Sequence, residues 1–242
     1  MAKKERQSLR VKTPECRLSY PHLGKPHAFK GKEDDPSQVT FNVTALFPKE
    51  DKKGLKPVVD AVNAAKVSKF GADKKKWPAD LRTPFRDGDK ESLTAEKEPK
   101  EGYAGHIFIK AKRRADWCED GQHVALINEE GAVLRDTAGN TVLSEKEIDA
   151  IFYPGCWAQL IIDPYGYNTS GNAGVAFGLV AVRKIRDDEP LSSGEPVDVS
   201  DYWDDAKPMT EEDMGVLSDE DDGKNAADPV EEKNSIDDDL PF

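Results

Sequence analysis

The chain has 242 residues, 34% of them charged and 37% hydrophobic, which suits one modest core with accessories rather than two large domains. Its net charge of −12 is unevenly spread: residues 1–186 hold 32 Lys+Arg against 26 Asp+Glu, a balance of +6, whereas residues 187–242 hold 3 against 21, a balance of −18. No stretch approaches about 18 apolar residues and no apolar run follows Met1-Ala2-Lys3-Lys4-Glu5-Arg6, so neither a membrane span nor a signal peptide is expected.

In chain order, Leu9, Val11 and Thr13 alternate with Arg10 and Lys12, which predicts a strand within 8–20. Gly24 to Pro36 reads as a loop. Residues 38–47 give the clearest strand: Val39, Phe41, Val43, Ala45 and Phe47 fall on one face, Gln38, Thr40, Asn42 and Thr44 on the other. The period then lengthens. Leu55, Val58, Val59, Val62 and Ala65 recur at three and four, an amphipathic helix over 52–70 with Pro57 placed in its first turn. Residues 71–100 are lysine-rich and interrupted by Pro78, Pro84 and Pro99, a long and partly ordered excursion of a kind that often carries function.

Strand patterns return at 103–112, 123–127, 132–135, 156–163 and 173–185. Ser144 followed by Glu147 three residues on has the spacing of a helix capping box. Tyr165 to Gly174, rich in Gly and Asn, reads as the hairpin loop between the last two strands. After Arg186 the pattern stops, and the few apolar residues of 187–239 cannot offset the entropy of ordering the backbone. Short strands with one clear internal helix make a mainly β barrel, followed by a disordered acidic tail. The expected division is 1–186 for the folded body and 187–242 for the tail.

No phosphate-binding, dinucleotide, zinc-protease or serine-hydrolase motif is present. His22, His27, His106 and His123 have no metal-ligand spacing with each other or with Cys16, Cys118 and Cys156, and these scattered cysteines fit a reducing cytoplasm. Asp219 to Gly223 fails as a calcium loop, since its glycine is one position early and the closing glutamate is absent. No cofactor or metal is expected.

Binding features are stronger. The charge asymmetry itself suits a nucleic-acid binder with an interaction tail, although a solubilising tail gives the same composition. In the strand 103–112, Ile107 and Ile109 share one face; His106, Phe108, Lys110 and Lys112 share the other, with Arg113 and Arg114 next. A ring beside cations meets the two needs of unpaired bases, a surface to stack on and positive charge along the backbone. The plainer alternative puts Phe108 in a core and leaves the cations solvated. Trp117 near Arg114, Trp77 after three lysines, and Tyr165 and Tyr167 in the hairpin are further candidates, each equally readable as a core cap. Trp157 and Phe177 lie within apolar strands and are assigned to the core. The chain ends Asp237-Asp238-Asp239-Leu240-Pro241-Phe242, an acidic run with an apolar tip suited to a basic-rimmed hydrophobic pocket on a partner.

This ending resembles that of bacterial single-stranded DNA-binding proteins. The body instead resembles a family of tailed-phage single-stranded DNA-binding proteins, on residues 102–112 (Gly102 to Lys112), on Gly155-Cys156-Trp157 and on residues 171–179 (Gly171 to Leu179), a likeness covering most of 8–190. The resemblance implies an OB-fold core, sequence-tolerant binding of single strands, and roles in phage replication, recombination and repair. The mechanism expected is passive: bases stack on exposed rings while lysines and arginines neutralise phosphates. The tail would recruit replication and recombination proteins and compete weakly with DNA. Self-association is left open by the sequence. Two other readings stand beside this one, a carboxylate-metal nuclease of phage recombination and an acidic DNA-mimic interaction protein.

Overall fold

The computed structural model describes residues 8–28, 31–32, 34–91, 100–119, 121–169 and 172–191. Met1–Gly194 and Glu195–Phe242 are separate units, and the second, with the terminal tip, lies outside the described residues. No helix among the described residues is long and apolar enough to cross a membrane.

Among the described residues nine strands form one sheet: β1 (Val11–Lys12), β2 (Cys16–His27), β3 (Thr40–Pro48), β4 (Arg86–Asp87), β5 (His106–Arg114), β6 (Ala125–Ile127), β7 (Val133–Arg135), β8 (Trp157–Thr169) and β9 (Asn172–Arg186). Antiparallel contacts join β2 to β3, β3 to β5, β8 to β9 and β8 to β2, and β5 meets β9 in parallel. The contacts close a ring, β2-β3-β5-β9-β8, a five-stranded barrel. Closure removes the sheet edges that would otherwise present unpaired backbone groups.

Period-two alternation fills the barrel. Phe41, Val43, Ala45 and Phe47 of β3 point inward with Ile109 and Ala111 of β5, Leu160 and Ile162 of β8, and Val175, Phe177 and Leu179 of β9, all buried in one cluster. Phe177 is therefore in the core, as its strand pattern requires. Trp157 is not. It sits half-buried, with the Arg186 guanidinium 4.2 Å from its ring centroid and its indole N–H donated to Asp188 at 2.6 Å. A cation and a carboxylate outside the barrel hold it there.

Helix α1 (Lys52–Phe70) has the limits that the sequence periodicity gives, and it buries Leu55, Val58, Val62 and Ala65. Val59, expected on that face, is 40% exposed. Pro57 stands in the second turn rather than the first; the carbonyl that loses its i→i−4 partner belongs to exposed Lys53, where water can replace the bond. Short helices α2 (Gly88–Glu91) and α3 (Ala115–Glu119) flank β5, and α4 (Glu145–Ile151) carries the full Ser144–Glu147 capping box.

Strand β2 runs through Gly24 to His27, where a loop was expected, because α4 covers it. The Gly24 N–H is donated to Asp149 at 3.0 Å, and a Cβ on Gly24 would lie 2.3 Å from the Glu145 carbonyl oxygen, so the approach requires glycine. The hairpin between the last strands also differs from expectation. β8 and β9 pair continuously from Tyr165 opposite Ala176 to Thr169 opposite Asn172, so most of the expected loop is ladder. Gly174 makes this feasible for Tyr167, whose hydroxyl oxygen would lie 2.7 Å from a Cβ there.

Two segments outside the ring complete it. β5 touches β9 only at Ala111–Phe177 and Lys112–Gly178. Beyond that point residues 82–87 fill the seam: Arg82 bridges Gly174, Phe85 sets its edge on Phe177 at 6.1 Å, and β4 pairs with Ile107 and Phe108. After β9, Asp187 to Leu191 strap back over the barrel. Asp188 N–H donates to the Tyr153 hydroxyl at 3.1 Å, Leu191 N–H to the Pro154 carbonyl at 2.8 Å, and Arg17 donates to the Glu189 carbonyl. The bonded body thus continues five residues past Arg186.

Candidate nucleic-acid interface

Residues of β3 and β5 that do not enter the core form the outer face of the barrel. The register sets Thr40 opposite Arg114, Asn42 opposite Lys112, Thr44 opposite Lys110 and Leu46 opposite Phe108. A row of cations on β5 therefore lies beside short polar side chains on β3, of which Thr40 and Thr44 are buried and Asn42 is half-buried. Lys110 and Lys112 are exposed. The Lys110 ammonium is pushed below its ordinary pKa by partial burial first, then by Arg86 and Lys100. The charged neighbours that perturb it are both cations, so positive charge is concentrated here, and a polyanion would relieve the repulsion.

At one end of this face the Trp117 ring is 45% exposed, with the guanidiniums of Arg113 and Arg114 at 5.9 and 5.5 Å from its centroid. Arg114 is fixed by Asp116, its Nε donating at 2.9 Å, and Arg113 donates to the Leu179 carbonyl at 3.0 Å. The arginines orient the indole as well as charging its surroundings. A flat ring bordered by cations is what a stacked base requires.

The other end departs from expectation. Phe108 faces outward but is only 2% exposed, packed with Leu46, Tyr103 and Leu191 in a small second cluster. Tyr103 lies edge-on to it at 5.2 Å. The turn that leads into β5 and the strap after β9 cover this end of the sheet, so the Phe108 ring is not offered to solvent. His106 is half-buried, with Nδ1 2.7 Å from the Ala104 carbonyl oxygen.

The remaining candidates lie elsewhere. Trp77 donates its indole N–H to Gly71 at 2.9 Å and stands beside Leu9 and Val67, on the α1 side of the barrel. Tyr165 and Tyr167 are half-buried on β8, opposite Ala176 and Gly174, two strands round the ring from β5. The structure thus brings Lys110, Lys112, Arg113, Arg114 and Trp117 together and leaves Trp77 and the two tyrosines apart. Arg86, Lys100 and Tyr20 belong to the same side of the barrel and carried no motif; only tertiary pairing places them. No group of three or more His, Cys, Asp or Glu among the described residues is arranged to hold a metal ion.

Solved structures of the bacteriophage Enc34 protein share this architecture. The single-stranded DNA-binding protein from bacteriophage Enc34, solved in complex with ssDNA, is 24% identical over 79% of this chain and 97% of its own, with a TM-score of 0.56. The same protein solved alone is 25% identical, with 83% and 96% covered and a TM-score of 0.53. The single-stranded DNA-binding protein gp2.5 of bacteriophage T7 is 17% identical over 82% of this chain and 98% of its own, with a TM-score of 0.47. No curated protein matches. The family model described as Enterobacter phage Enc34, ssDNA-binding protein, matches residues 9–214, most of the length, and the chain belongs to that family.

Proposed function

We propose that this chain binds single-stranded DNA with little sequence preference and without chemistry, along the outer face of β3 and β5. The observation that carries the reading is the row Lys110, Lys112, Arg114 set against Thr44, Asn42 and Thr40 and ending at the exposed Trp117. Family membership supports it, since this is a family of binding proteins and not of enzymes. The cations hold phosphates while the indole takes a base; on β3 only Asn42 is partly open to the strand, Thr40 and Thr44 being buried.

Titration with single-stranded DNA, duplex and RNA across a salt series tests this. For single strands the log–log salt slope is about −0.7 per phosphate neutralised. Lys110→Ala and Lys112→Ala should each flatten the slope by roughly that amount and leave melting nearly unchanged. Equal affinity for blunt duplex, or an unaltered slope in both variants, overturns the assignment.

The wider role follows as part of the proposal. The protein coats and protects single strands during phage DNA replication, recombination and repair in the host cytoplasm. Asp237 to Phe242 recruit partner proteins of those processes, Phe242 filling an apolar pocket and the aspartates meeting basic residues around it.

A further inference from the structure

We propose that Tyr20, Lys100 and Tyr103 form a base-stacking subsite that prolongs the path of the single strand past the β3–β5 cations; this rests on the single-strand reading above. Tyr20 is the one non-glycine residue at positive φ (46°) among the described residues. It lies in the middle of β2, where the pairing with β3 slips between Ser19 and His22. Regular alternation from Leu18, buried, through Ser19, on the outer face, would send Tyr20 into the barrel. The irregularity turns the ring out instead, leaving it 46% exposed. Bulges commonly re-aim a side chain beside a site, and strained backbone positions cluster where function maintains them.

The ring is also provided for. The Lys100 ammonium lies 5.4 Å from its centroid. Ser19, Tyr20, Lys100, Glu101, Tyr103, Pro154 and Leu191 line a cavity of about 110 Å³. Its apolar walls are Tyr20, Pro154 and Leu191. The Ser19 and Tyr103 hydroxyls are hydrogen-bonded to each other at 3.0 Å and buried, so they hold the Tyr103 side of the cavity in place while the Tyr20 ring provides the stacking surface. Glu101 in the wall disfavours a phosphate inside, so the base enters and Lys100 turns from the ring to the backbone of the same nucleotide. The subsite is continuous with the basic face: the Tyr103 ring covers Phe108, and Lys100 acts electrostatically on Lys110.

Tyr20→Gly removes the ring at a position where glycine relieves the backbone, so the variant should fold, as melting will verify. Tyr20→Phe keeps the ring. Both are titrated as full-length proteins with oligothymidylates of increasing length, beside Lys110→Ala/Lys112→Ala, and an oligothymidylate carrying 5-iodouracil is photocrosslinked to the unaltered protein. Expected are a loss of about 5- to 150-fold for long oligonucleotides in Tyr20→Gly, a shorter occluded site, near-normal binding in Tyr20→Phe and a crosslink at Tyr20. Unchanged affinity and site size in Tyr20→Gly, with the lysine variant weakened, overturns the subsite and leaves the β3–β5 face standing. If the lysine variant too binds as the unaltered protein does, the single-strand reading fails and the subsite with it.

Discussion

Phe108 and Trp117 lie on or just after the same strand and have opposite surroundings. Phe108 is enclosed by Leu46, Tyr103 and Leu191, whereas nearly half of Trp117 is open between two guanidiniums. Phe108→Ala should therefore cost about 3–5 kcal/mol of stability through the cavity it leaves. Trp117→Ala should leave melting nearly intact and weaken single-strand binding by about 1–3 kcal/mol. Thermal melts and titrations on both variants separate the roles; selective loss of binding without loss of stability in Phe108→Ala would contradict the packing seen here. The alternation of β5 was readable in the sequence, and so was which of its residues leave the core. What covers an outward residue was not, because Tyr103 and Leu191 arrive from a turn and from a strap with no periodicity of their own.

Local elements were the most legible. The limits of α1 follow from a repeat at three and four, and the cap of α4 from two residues three apart, because each is decided by contacts within one turn or one face. Ser144→Ala should cost about 1 kcal/mol and lower the melting temperature by a few degrees, since the Glu147 N–H loses its acceptor. Calorimetry checks this, and Ser144→Asp should recover most of the loss. The extension of β2 past Gly24, the seam strand β4 and the strap Asp187 to Leu191 were not legible. Each is stabilised by a partner more than ten residues away, and isolated windows of Gly, Pro and charged residues resemble loops whether or not a neighbour binds them.

Across the whole chain the dominant fact is the division of charge, +6 in residues 1–186 and −18 in 187–242. A tethered polyanion remains at high effective concentration near a cationic face. Truncation should thus raise affinity for single strands, most at low salt, where the screening length exceeds its value of about 10 Å at 0.1 M. The cut belongs after Leu191, since a cut after Arg186 also removes the strap that helps bury Phe108. Deleting Phe242 alone removes no side-chain charge and should leave DNA affinity unaltered while abolishing capture of partner proteins from a bacterial host lysate. Unchanged low-salt affinity in the truncation would remove the competition; undiminished capture without Phe242 would remove the docking role.

The three thiols give the barrel an internal clock. Cys16 and Cys156 are fully buried where β2 meets β8, Cys118 nearly so in α3, and burial pushes all three thiols up, Cys156 to about 12. A thiol so placed meets a water-borne disulfide reagent only when the strands part, so the labelling rate counts excursions of the closed ring. Added oligonucleotide that binds the closed form alone should slow the labelling of Cys16 and Cys156 in proportion to 1 + [L]/Kd, where [L] is the free oligonucleotide concentration. If labelling is fast and indifferent to oligonucleotide, β2 and β8 separate without disturbing the site, and the ring is opening at a joint that the bound strand does not fasten.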